Sequence, residues 1–354
     1  MQYPTRSAAA ACLAVVSLAA AAVAEPVAFN ARHNPANTVQ LDPDHPDSFE
    51  RFAPELPRTL ARVPSIDPDT GLHVEEIEQG LFFVTDLIYQ SAFLVTEDGV
   101  VVFDAPPSYA DRLRPAIEDA SSGAPITHLV LSHGHIDHVG GSSVFADIPN
   151  LNVIAASDVA ASLQDRPHPE VLRPTETFDD ALHLSVGGVP IELKTARFHA
   201  EDQDVIIYLP DRDFLMAVDT ITPGEAPFMN FGATTDINAY FEVFEELLAY
   251  DFEHFLSGHV SSLGTRRDVI ETRDYAFDVR DRVVGGMQTF QDRFMETFAA
   301  FEHENANLAY RRAIESVRDE CAEAIIDTWR DELSAVDVWA PSHCEYTVLY
   351  YIMH

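Results

Sequence analysis

Lysine is nearly absent from this chain: Lys194 is the single one among 22 basic residues in a sequence of 354. Basic charge as a whole is scarce, because 58 acidic residues face those 22 and leave a formal net charge of −36. Phosphate recognition needs a basic footprint that releases counterions, so this balance argues against nucleic-acid partners and against anionic membranes. Neither a dinucleotide glycine fingerprint nor a phosphate-binding loop occurs. Beyond the N-terminal apolar run there is no second span apolar enough to cross a bilayer. Core-forming material is plentiful, with 47% hydrophobic residues, 22 Phe and 11 Tyr, far from the composition of a disordered acidic protein. The excess acid therefore belongs on the surface, as on a salt-adapted extracellular protein or through compositional drift.

Met1 to Arg6 carries one positive charge, Ser7 to Val23 is an alanine-rich apolar run, and Ala22-Val23-Ala24 supplies small residues. This pattern predicts a signal peptide over residues 1–24 and a periplasmic or secreted protein. The competing readings are a transmembrane anchor, for which the run is marginal in length, and lipid attachment at Cys12, which lacks a large aliphatic residue before it. Beyond the leader only Cys321 and Cys344 remain, an even pair suited to one disulfide in an oxidising compartment or else two buried thiols.

Residues 25–71 are rich in Pro, Asp, Asn and Arg without a sustained period and read as an extended N-terminal arm. From residue 72 to 264, short β-branched runs alternate with helical stretches. Strands are expected at Val74 to Glu78, Leu81 to Thr85, Ala92 to Thr96, Val100 to Phe103, His128 to Leu131 and Asn152 to Ala155. A second set is expected at Ile191 to Phe198, Asp204 to Leu209, Phe214 to Val218 and Glu253 to Leu256. Helices are expected at Tyr109 to Ser121, Ser157 to Gln164 and Asp236 to Tyr250, which makes a layered α/β domain. Residues 265–354 read as a helical C-terminal appendage, where Val279, Val283, Met287, Phe290, Phe294, Phe298 and Phe301 suggest a core-facing seam.

One stretch carries chemistry: His133-Gly-His135-Ile-Asp137-His138 directly follows a β-branched strand and precedes Gly140-Gly141. Four such polar groups at a buried strand end would be costly to desolvate without a cation, so a metal site is expected there. His133 and His135 can converge on one ion while Asp137 and His138 turn toward a second.

This stretch resembles the H-x-H-x-D-H signature of the metallo-β-lactamase superfamily, and four further motifs in the same order continue the resemblance over residues 72–264. They are Asp104 after a strand, Phe198-His199, Val218-Asp219 and Gly258-His259. The resemblance implies an αββα sandwich with two divalent metal ions, zinc foremost, with iron or manganese as alternatives. His133, His135 and His199 would hold one ion and Asp137, His138 and His259 the other, with Asp219 bridging and Asp104 supporting the ligands from behind. A bridging hydroxide would attack a carbonyl carbon, with Asp137 and Asp219 relaying the proton to the leaving group. Departures are instructive. The family's Gly-His-Thr-x-Gly-Ser reads Phe198-His199-Ala-Glu-Asp-Gln here, and antibiotic-hydrolysing members carry cysteine or serine where Asp219 stands. With Lys194 inside a strand, no lysine is evident to hold a drug's carboxylate. The bridging aspartate is similar to the glyoxalase II, lactonase and phosphodiesterase branches.

Phe228, Met229 and Phe231, just beyond Asp219, are expected at a substrate-pocket rim, with Tyr89 and Gln90 as a flap; packing of these aromatics on the helical region is the other reading. His33, His45, His168, His183 and His254 match no ligand position. The expectation is a small-molecule hydrolase acting on a neutral ester, lactone or amide, a β-lactam included. The alternative is a one-site non-haem iron oxidoreductase of the persulfide dioxygenase type.

Overall fold

The computed structural model describes residues 52–201, 203–260 and 262–354; the expected signal peptide and the start of the arm lie outside the described residues. The rest of the arm is not featureless. It contains one helical turn, α1 (Pro57–Leu60), tied down by long-range polar contacts. The Thr59 hydroxyl donates to Gly224 O at 3.0 Å, and Arg62 makes a forked pair with the buried Asp268 at 2.6 and 3.0 Å.

The first sheet has seven strands in sequence order: β1 (His73–Glu78), β2 (Leu81–Thr85), β3 (Gln90–Thr96), β4 (Gly99–Phe103), β5 (Ile126–Val130), β6 (Asn152–Ala156) and β7 (Glu176–Phe178). Strands β1 to β4 pair antiparallel and β4 to β7 pair parallel. Parallel neighbours need crossovers. These are α2 (Ala110–Ala120), then the short α3 (Ile136–Val139) with a 3₁₀ turn Ser142–Phe145, then α4 (Ser157–Asp165). The run Val100-Val101-Val102-Phe103 is buried throughout, as a central strand covered on both faces must be. Each such side chain contributes about 1.5–3 kcal/mol of burial.

The second sheet has six strands in the order β13-β12-β11-β10-β9-β8: β8 (Ala181–Val186), β9 (Val189–Ala196), β10 (Asp204–Leu209), β11 (Phe214–Met216), β12 (His254–Leu256) and β13 (Gly264–Thr265). Its strands alternate between two cores. Val205, Ile207, Leu209, Phe214 and Met216 face the first sheet, whereas Ile206, Leu215 and Phe255 face the helices on the other side. Those helices follow α5 (Met229–Ala233) and are α6 (Ile237–Leu247), α7 (Arg266–Met287), α8 (Phe290–Ala300), α9 (Ala306–Trp329) and α10 (Val336–Met353). The architecture is an α/β sandwich with helices outside both sheets.

Residues 265–354 form the expected helical region, and it packs on the second sheet: Val279, Val317, Cys344 and Val348 share one core with Ile206, Leu215 and Phe255. The expected seam weakens along its length. Val279, Val283 and Phe290 are buried, but the helix breaks after Met287, and Phe301 is 37% exposed. Cys321 and Cys344 form a disulfide joining α9 to α10. Among the described residues, no helix is long and apolar enough to cross a membrane.

Candidate metal centre

Strand ends on one edge of the sandwich supply the site. After β4 the chain turns at the buried Asp104, whose backbone is left-handed (φ 60°). Its carboxylate accepts the Ser132 N–H at 2.8 Å and so fixes the chain as it leaves β5 for His133. Burial raises this carboxyl to about 6, against the opposing pull of His138. His135 then starts α3, whose single turn carries Asp137 and His138.

His199 follows β9, which ends at Ala196, two residues earlier than its apolar pattern predicts. The reason is Asp204, whose carboxylate accepts the backbone N–H groups of Phe198, His199 and Ala200 at 2.9, 3.0 and 3.2 Å. The chain curls around that oxygen pair instead of pairing as a strand. The acidic loop sequence therefore does structural work in place of the glycine-containing version. Asp219 is itself left-handed (φ 65°) and donates its N–H to Ser257 O at 2.9 Å.

His259 is organised by Gln90, which is fully buried and braces this loop rather than serving as a flap. Its Oε1 accepts from Ser257 N and Gly258 N, both at 3.2 Å, and its Nε2 donates to Val260 O and Ser262 O at 3.0 and 2.9 Å. Sequence reasoning missed this role, because its partners are backbone groups about 170 positions away.

All seven expected donor residues converge. The donor atoms of His133, His135, His199 and Asp219 lie within 4.8 Å of one another, as do those of Asp137, His138 and His259. Asp219 stands between the sets. Its Oδ2 is 3.0 Å from His199 Nε2, 3.5 Å from His133 Nε2 and 3.3 Å from His138 Nε2, while its Oδ1 is 3.1 Å from His259 Nε2. Burial opposes charge on Asp219, but the His138 and His199 rings outweigh it and hold the carboxyl well below the usual range.

The donors fit a divalent metal. His199 Nε2 faces His135 Nδ1 at 3.0 Å, and His138 Nε2 faces His259 Nε2 at 3.1 Å. Two ring nitrogens so close can share at most one proton, so lone pairs point inward. His133 Nε2 is buried without a hydrogen-bond partner, and burial holds that ring well below its ordinary pKa, which keeps the lone pair free. Its Nδ1 lies 3.0 Å from Ser132 Oγ, the outer contact that orients a metal-binding imidazole. Imidazoles and carboxylates turned toward one point are the donor chemistry of a divalent metal site.

Comparison with known proteins bears on the whole domain. The family model described as metallo-beta-lactamase superfamily matches residues 84–259, from β2 to the last donor histidine. The chain belongs to the metallo-β-lactamase superfamily. Its fold is similar to a metallo-beta-lactamase from Pontibacter korlensis, with 18% identity, 57% of this chain and 97% of that one covered, and a TM-score of 0.51. It is also similar to a double mutant of a sec-alkyl sulfatase, with 17% identity, 63% and 45% coverage and a TM-score of 0.50. Among curated proteins it matches a 2,4-dinitroanisole O-demethylase subunit alpha from Nocardioides sp. at 24% identity, over 58% of this chain and 62% of that protein. A UPF0173 metal-dependent hydrolase from Rhizobium etli matches at 31%, over 32% of this chain and 56% of the relative. The alignments thus span less than two thirds of these curated relatives. The Rhizobium relative is named a metal-dependent hydrolase, and this chain brings seven His and Asp donors together in a candidate metal site.

A cleft of about 900 Å³ opens onto this metallo-β-lactamase-type centre at His135 and Asp137. Its walls are Pro107, Ile136, Leu163, Pro167 and Ala233, with Arg166, His168, Glu201 and Thr235 among its polar groups. The expected rim residues lie elsewhere. Phe231 is fully buried and stacks on His343 at 4.3 Å, because the segment after Asp219 folds under the C-terminal helices. Phe228 packs on Trp339 at 4.8 Å, and Met229 is 41% exposed without lining the cleft. Tyr89 does reach the centre, its ring 4.9 Å from His259 and 6.0 Å from His138. His168, set aside from the sequence, lines the cleft, whereas His183 and His254 do not. His33 and His45 lie outside the described residues.

Proposed function

We propose that this protein is an exported binuclear hydrolase that cleaves a small carboxylic ester, lactone or amide. The observation that carries the reading is the pair of donor sets sharing Asp219. His133, His135 and His199 would hold one ion and Asp137, His138 and His259 the other, with Asp219 reaching both. Zinc suits imidazole and carboxylate donors, and iron or manganese are the alternatives. When bound, such ions supply a water that is ionised near neutral pH and polarise the scissile carbonyl.

The chain's own residues do the rest. Asp137 is the donor carboxylate most open to the cleft, its side chain 41% exposed, so its Oδ2 is the atom placed to carry a proton to a leaving group. Ile136, Leu163 and Pro167 offer an apolar wall to an acyl or aryl group and exclude water there. At the mouth Arg166 and Glu201 stand 3.8 Å apart, both about 70% exposed, so this pair holds a substrate only weakly. Export is supported by the leader-like residues 1–24 and by the disulfide, which belongs to oxidising compartments.

One further substrate class enters through a relative. The Nocardioides protein is named for O-demethylation of 2,4-dinitroanisole, an aryl methyl ether, and the apolar wall would also receive a flat ring. The test is metal analysis with a panel of aryl esters, lactones, thioesters, a chromogenic β-lactam and dinitroanisole, presented to zinc-, manganese- and iron-loaded protein. About two metals per chain are expected. Asp219→Ala should lose more than about 100-fold in turnover, since removing even an outer partner of a metal ligand costs about 10–100-fold. Metal-free wild-type protein, or full activity in Asp219→Ala, would refute the proposal. One iron per chain with oxygen consumption would establish the dioxygenase alternative instead.

A further inference from the structure

The segment after Asp219 contains four consecutive left-handed residues, Asn230, Phe231, Gly232 and Ala233, with φ between 53° and 75°. Three of them are not glycine, and such backbone persists only where the surroundings over-determine it. The run fits directly beneath the metal centre. A Cβ on Gly232 would stand 2.4 Å from Asp219 O, so the run lies against the backbone of that residue. Beyond it, the Thr235 N–H and hydroxyl both donate to His199 O at 3.0 Å, and the Thr234 hydroxyl donates to Phe198 O at 2.6 Å. Ala233 and Thr235 also line the cleft.

Helix α10 grips this run from the other side through three side chains. Ser342 Oγ accepts from Asn230 N at 3.3 Å, and the Tyr346 hydroxyl donates to Thr234 O at 2.8 Å. His343 Nε2 lies 3.1 Å from Phe228 O, and its Nδ1 lies 2.8 Å from the Tyr275 hydroxyl. A carbonyl only accepts, so Nε2 carries the proton and Nδ1 accepts from Tyr275. His343 is fully buried and stacked on Phe231 with an interplanar angle of 16°. These contacts form a continuous path from α10 through the left-handed run to the backbones of His199 and Asp219.

We propose that Ser342, His343 and Tyr346 are positioning residues of the metal centre, holding His199 and Asp219 at the separation that two metal ions require. This rests on the reading of the cluster as a metal site and is independent of which bond is cleaved. The test is zinc affinity by competition with a chromophoric chelator, with circular dichroism as the check on folding. Tyr346→Phe and His343→Leu should weaken zinc binding about 10–100-fold, the cost typical of an outer partner of a ligand. His343→Gln, which keeps a donor toward Phe228 O, should recover part of the loss. Glu345→Gln is the control: it lies on the same helix and breaks the pairs to Arg311 and Arg318 without touching the run. It should lower the melting temperature and leave zinc affinity unchanged. If His343→Leu does not fold, Tyr346→Phe alone decides. A folded Tyr346→Phe protein with wild-type zinc affinity would overturn the proposal while the metal reading stands, whereas wild-type protein that binds no zinc would overturn both.

Discussion

Gly258 shows how tightly single positions are specified around the donors. Its φ is 86°, and an added Cβ would stand 2.5 Å from Val218 Cγ1 and 3.0 Å from His138 Cε1. Val218 is in the sandwich core and His138 is fully buried, so neither can retreat cheaply. Gly258→Ala is therefore expected to cost about 1–3 kcal/mol of stability from overpacking and the left-handed backbone. It should also weaken zinc binding at the set containing His138. Thermal denaturation with and without chelator checks both, and an unchanged metal-dependent shift in melting temperature would contradict the second. The donors themselves were legible in the sequence, because histidine and aspartate clustered at strand ends have few other uses. Their supports were not. Gln90 and Asp204 act on backbone groups that only the fold brings to them, and nothing local distinguishes them from ordinary surface residues. For Phe231 the sequence leaves both readings open for the converse reason: an aromatic beside a site is equally suited to a pocket or a core, and the covering helices decide for the core.

Strands with continuous β-branched runs, such as β4 and β10, were readable because burial on both faces demands that composition. β8, absent from the expected strands, carries a weaker signal: Leu182, Leu184 and Val186 alternate along it, the pattern of a strand with one face toward the core. The breaks between α7, α8 and α9 were illegible because the apolar spacing runs through them, and helical periodicity marks a face better than it marks an end. Between α9 and α10 the link is covalent. The Cys321–Cys344 disulfide spans 23 positions, and a loop of that size is stabilised by about 3 kcal/mol when closed. Both cysteines are buried in the helical core, so Cys321→Ala/Cys344→Ala protein should lose about that much, read as a lower urea midpoint. Because Cys344 adjoins His343, the same variant should also bind zinc more weakly. A wild-type urea midpoint would show that core packing alone fixes α10.

At the scale of the molecule, the charge sets a condition on stability that no single contact reveals. Paired groups exist, such as Arg293 with Glu320 at 2.6 Å and Arg311 with Glu345 at 2.6 Å. With 58 acids against 22 bases, however, at least 36 acidic groups can have no basic partner of their own. Exposed pairs contribute only about 0–1 kcal/mol each, whereas the unpaired excess repels itself across the whole surface and opposes compaction. Screening therefore acts in two directions. Salt weakens the pairs a little and the repulsion much more, because the Debye length shrinks from about 30 Å at 0.01 M to about 3 Å at 1 M. The melting temperature is accordingly expected to rise as sodium chloride goes from 0.01 to 1 M, with most of the gain below the point where the Debye length falls under the spacing of neighbouring carboxylates. Differential scanning calorimetry of metal-loaded protein across that range checks it. A falling melting temperature would mean that the arginine pairs, not the surplus carboxylates, dominate the surface energetics of this fold.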